Sequence, residues 1–135
     1  MDRSAVERVL VEHLPALSRA LGLSHWHISL GYDAALSTGD NCITRGECSR
    51  LLDYQSAHIT LNPDVFADAD AVLATLRHEL FHVVLAPFDL YTSAVDRLDL
   101  SDDATELLER IRDHATEQCV AALERLYEGL KGGDE

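Results

Sequence analysis

His78 and His82 stand four residues apart, with Glu79 between them, in the run Arg77-His78-Glu79-Leu80-Phe81-His82. On a helix this spacing is one turn, so both imidazoles project from the same side and can bind a single zinc ion. Glu79 is next to them. From there its carboxylate can take the proton of a metal-bound water as the water attacks a carbonyl, then hand that proton to a leaving amine. Zinc suits such a step because it lowers the pKa of its water to about 7 and polarises the substrate oxygen. The neighbours Leu80, Phe81, Val83 and Val84 are apolar. They turn the polar trio towards a core, where it needs partners and a metal ion would supply one.

The elements around the trio follow from periodicity. Asp68 or Asp70 can cap a helix whose face is Val72, Leu73, Leu76, Leu80, Val83 and Val84, with Pro87 beyond its far end. Just before it, residues 57–61 (Ala-His-Ile-Thr-Leu) alternate as a strand until Asn62-Pro63 stops the extended run. Residues 26–30 predict an earlier strand closed by Gly31. An amphipathic N-terminal helix is expected from Val6, Val9, Leu10, Leu14, Leu17 and Leu21, opened by a Ser4/Glu7 capping box. Pro15 should kink or divide it, and Gly22 is a natural left-handed stop. Residues 37–53 read as a loop or irregular hairpin, and further strands can hide in 33–56. A last helix from about Ser101 is expected to bury Leu107, Leu108, Ile111, Ala115, Cys119, Ala122, Leu123 and Leu126 and to fray at Gly129. The sum is a small α+β chain: one domain over residues 1–130, then a loose tail over 131–135.

Composition narrows the function. The 135 residues carry 24 acidic and 11 basic side chains, a formal charge of −13. That balance opposes nucleic acid, whose affinity for proteins comes largely from Lys and Arg. The charged start, Met1-Asp2-Arg3-Ser4-Ala5-Val6-Glu7-Arg8, is unlike a secretory leader, and no stretch approaches the ~20 apolar residues of a membrane span. A cytoplasmic protein with no membrane partner is the expectation. Cys42, Cys48 and Cys119 lack zinc-pair spacing and read as cytosolic thiols, with a Cys42 to Cys48 bridge as the alternative.

The stretch Arg77-His78-Glu79-Leu80-Phe81-His82-Val83-Val84-Leu85 resembles the active-site helix of the zincin metallopeptidases, and the resemblance extends over about residues 57–124. It implies a zincin-like fold, a short mixed or antiparallel sheet packed on the motif helix with N- and C-terminal helices. It also implies one zinc ion held by His78 and His82, with Glu79 as general base. A metzincin would continue with a glycine and a third histidine; this chain continues Val83-Val84-Leu85-Ala86-Pro87-Phe88, so the resemblance is to the gluzincins, which take a later glutamate as third ligand. Asp113-His114-Ala115-Thr116-Glu117-Gln118-Cys119-Val120 is similar to their glutamate-bearing helix and makes Glu117 that ligand. A solvated acidic face is the other reading of Glu117, and His114 is the alternative ligand or a group that orients it. In zincins the strand before the helix commonly forms the edge on which a peptide lies, which assigns substrate binding to His58, Ile59 and Thr60. Tyr91 is either an oxyanion donor or a packing residue. The activity implied is zinc-dependent hydrolysis of a peptide or protein. The rival classes are a catalytically inactive, zinc-stabilised binding module of the same fold and an acidic interaction protein.

Overall fold

The computed structural model describes residues 1–36 and 44–133, with side chains to Leu130. The contacts group into two units, Met1–Val84 and Leu85–Glu135, where the sequence reads as one domain. The architecture is α+β, four helices with a three-stranded mixed sheet among the described residues.

The first unit opens with α1, Arg3–Ala20. Its cap is Asp2 and not Ser4, because the Asp2 carboxylate accepts the Ala5 N–H at 2.8 Å. Glu7 is occupied by Arg3, at 2.9 Å. Pro15 does not divide α1: Val11, whose carbonyl loses its donor, lies on the exposed side where water can replace it. Gly22 adopts the left-handed conformation, φ 74°, and ends the helix as expected.

The sheet is built from β1 (His27–Tyr32), β2 (Gly46–Leu51) and β3 (Ser56–Leu61), in the order β1-β3-β2. β1 runs parallel to β3, and β2 antiparallel to it. β2 is the strand that the polar, turn-rich stretch concealed. Alternation directs Ala57, Ile59 and Leu61 inward, where they meet Val6 and Leu10 of α1 and Val72, Leu76, Leu80 and Val83 of α2, Ala69–Val84. This is the core of the unit. Asn62, itself buried, ends β3: its side-chain oxygen accepts the Asp64 N–H at 3.1 Å, and its amide donates to the Ala34 carbonyl. The turn made there delivers the chain to Asp68, whose carboxylate accepts the Ala71 N–H at 2.9 Å and caps α2.

The second unit holds a 3-10 turn at Ala86–Phe88, then α3 (Asp89–Asp96) and α4 (Asp102–Gly133). Ser101 accepts the Ala104 N–H and starts α4 as expected. Two readings of α4 are corrected. The helix continues through Gly129 to Gly133, so residues 131–133 belong to it; residues 134–135 lie outside the described residues. The stripe expected to be buried is instead mostly in water: Leu107, Ile111, Ala115, Cys119, Ala122 and Leu126 are exposed, and Leu108 and Leu123 half-buried. The covered side carries Leu108, Arg112, Thr116, Val120 and Glu124, with Val120 fully buried. Arg112 explains part of this, since its guanidinium donates to Thr92 of α3 at 3.1 Å.

Candidate metal centre

α2 presents the motif as its spacing demands. His78 and His82 are both half-buried, one turn apart, with ring centroids separated by 5.1 Å and planes inclined at 64°. This distance bears directly on metal fit. Two imidazole nitrogens on one tetrahedral zinc, each at ~2.0–2.1 Å, set their ring centres about 5 Å apart. The ring separation is therefore compatible with two ligands of one ion, and imidazole nitrogens with a carboxylate are a donor set that zinc takes.

Glu79 is 5% exposed, the most deeply placed ionisable side chain on α2. The head of β2 passes close to it at Gly46. A Cβ there would lie 3.4 Å from both Cγ and Oε1 of Glu79 and 3.2 Å from Cγ2 of the buried Thr75. The strand passes so close to the helix because residue 46 has no side chain. Neither Gly46 nor Thr75 was legible as part of the site. Gly46 reads as a turn former, and nothing in its neighbours betrays an approach between segments some thirty residues apart.

The proposed substrate strand requires correction. β3 is the central strand and hydrogen-bonds on both sides, so His58, Ile59 and Thr60 cannot offer a free edge. Ile59 is fully buried in the core. His58 is on the opposite, solvent face, where its Nδ1 and the Ser29 hydroxyl are 2.7 Å apart. Among the described residues the edge strands are β1 and β2.

Glu117 and His114 belong to α4 in the second unit, and both are exposed. Tyr91, on α3, is 57% exposed and forms part of the wall of an apolar groove of about 320 Å³ within that unit. Cys119 is an exposed thiol, while Cys42, and with it the bridge to Cys48, lies outside the described residues. No single helix among the described residues is long and apolar enough to cross a membrane. No protein-family model, curated protein or solved structure matches this chain.

Proposed function

We propose that this chain is a zinc-dependent metallopeptidase of gluzincin type, with His78, His82 and Glu117 as a group that holds one zinc ion and Glu79 as general base. The observation that carries the reading is the imidazole pair on α2, at the separation two ligands of one ion require, with the carboxylate between them in sequence buried beside it. Zinc, when bound, polarises the scissile carbonyl and acidifies the attacking water. Glu79 accepts the proton of that water and returns it to the leaving amine.

The substrate is a peptide in extended form. β2 takes the part first assigned to β3: among the described residues it has a single ladder partner, so its other edge can pair with a peptide backbone irrespective of sequence. The contact between Gly46 and Glu79 supports this choice, since it ties the head of that edge to the proton-accepting group.

The test measures metal content and cleavage of an unfolded protein substrate for wild type, His82→Ala, Glu117→Ala and Glu79→Gln. Wild type and Glu79→Gln should retain about one zinc per chain, His82→Ala and Glu117→Ala should lose it, and only wild type should hydrolyse. A wild-type chain that takes up no zinc after reconstitution overturns the proposal. A chain that holds zinc yet cleaves nothing is a zinc-stabilised binding module.

A further inference from the structure

β2 carries two charged residues, and alternation sends them to opposite faces of the sheet. Arg50 shares its face with Gly46 and with Cys48, which packs against the core. Glu47 is on the other face and is exposed. Across the ladder it meets the uncharged Thr60 of β3, whose hydroxyl would stand 3.7 Å from a Cβ on Gly31 and so shares the outer face. His58 is the diagonal neighbour that could offer Glu47 a positive charge, but it is drawn towards β1. Its Nδ1 is 2.7 Å from the Ser29 hydroxyl, and its Nε2 would be 2.6 Å from a Cβ on Gly31. The imidazole therefore leans to the side of β3 that faces away from β2. Glu47 has no hydrogen bond or ion pair among the described residues. Every one of these groups belongs to the first unit, Met1–Val84.

We propose, resting on the reading of the β2 edge as the peptide site, that Glu47 determines specificity by selecting a peptide with Lys or Arg opposite it. Residues directly opposite in a ladder share a face, with Cβ atoms about 4.5–5.5 Å apart, so a basic side chain at that place reaches the carboxylate and an acidic one is repelled. Backbone pairing binds any extended peptide, and Glu47 adds the preference. The formal charge of −13 acts in the same direction over longer range, drawing cationic segments to the protein before any side chains pair. Gly46, the adjacent residue of β2, is the one that passes beside Glu79, which places the basic residue about one or two positions from the bond cleaved. An exposed pair of this kind changes affinity by a factor of up to about five. Reversing the charge acts twice, removing an attraction and adding a repulsion.

The test uses Glu79→Gln after zinc reconstitution, a chain that the proposed mechanism leaves unable to cut. It is titrated with two short dye-labelled peptides of alternating Thr and Val that differ only in a central Lys or Glu, and binding is read by fluorescence anisotropy. The Lys peptide should bind up to about fivefold more tightly, and ionic strength near about 1 M should level the difference. Adding Glu47→Lys should reverse the order of the two peptides. Glu12→Lys makes the same charge change at an exposed position of α1 and should leave the order as it was, which separates a local pairing from the pull of net charge. Both variants should keep the zinc content and melting temperature of their parent. Zinc uptake and hydrolysis by wild type judge the peptidase reading separately, because pairing at a strand edge requires no metal-bound water. Equal affinity for the two peptides, no binding of either, or the same response to Glu47→Lys and Glu12→Lys overturns the proposal.

Discussion

Valine at position 46 tests how β2 fixes Glu79. The ideal Cβ at Gly46 would stand 3.2 Å from Thr75 Cγ2 and 3.4 Å from Cγ and Oε1 of Glu79. Carbon pairs are most favourable at about 3.5–4.0 Å, so the first of these contacts is several tenths of an ångström too short. Gly46→Ala asks for a small adjustment, and the ~0.4–1 kcal/mol gained from a stiffer unfolded chain largely offsets it. Gly46→Val adds two methyl groups against the same buried helix face. Overpacking of that kind costs about 1–3 kcal/mol, leaving a net loss of roughly 1–2 kcal/mol after the entropic gain.

The source of the cost can be isolated by a double-mutant cycle. Thr75→Ser removes Cγ2, the atom in the shortest contact, and leaves the hydroxyl. Measured by urea denaturation, Gly46→Val should be less damaging in the Thr75→Ser background by about 1 kcal/mol. The proposed hydrolysis should respond differently. Displacing Glu79 by about 1 Å should lower the rate on the order of 10²-fold with zinc content unchanged, and Thr75→Ser should not restore it, because the contact with Glu79 persists. Additivity of the two stability effects within ~0.3 kcal/mol would refute the steric account. Full activity in Gly46→Val would refute the claim that β2 holds the carboxylate in place.

Gly31 is a parallel case on the solvent face: a Cβ there would come within 2.6 Å of the His58 ring, so Gly31→Ala should break the Ser29–His58 hydrogen bond and shift the His58 imidazole resonances in a proton NMR spectrum. Asp68→Ala should destabilise the first unit by about 1 kcal/mol in chemical denaturation, since it removes the side-chain acceptor for the Ala71 N–H, whereas Ser4→Ala should have little effect. Burial raises the Tyr32 phenol above its ordinary range, Glu7 adds to the rise, and Arg3, whose guanidinium lies 5.3 Å from the ring centre, opposes it. Its contribution to stability is therefore complete below the ordinary phenol pKa and is lost as pH rises through the higher folded value; Tyr32→Phe should remove that alkaline component from the melting temperature measured against pH.

The sequence by itself determined the local elements and the pairing of chemistry on one of them. The 3.6-residue recurrence of Val72, Leu76, Leu80 and Val83 makes α2 a core helix, and four-residue spacing places His78 and His82 on a common side wherever that helix sits. Both depend on neighbours within a turn or two, which is why they are legible. Tertiary structure decided the rest. β3 carries a strand pattern, but being central or at the edge is a matter of partners, and β2 supplied the second partner from a stretch whose glycine and polar residues mask its alternation. Gly46 became part of the candidate site through an approach across chain that no local signal encodes. On α4 the apolar period was correct and its burial was not: periodicity says that a face seeks cover, while which face finds it within the chain is decided by what packs there, here beside Arg112 and Val120.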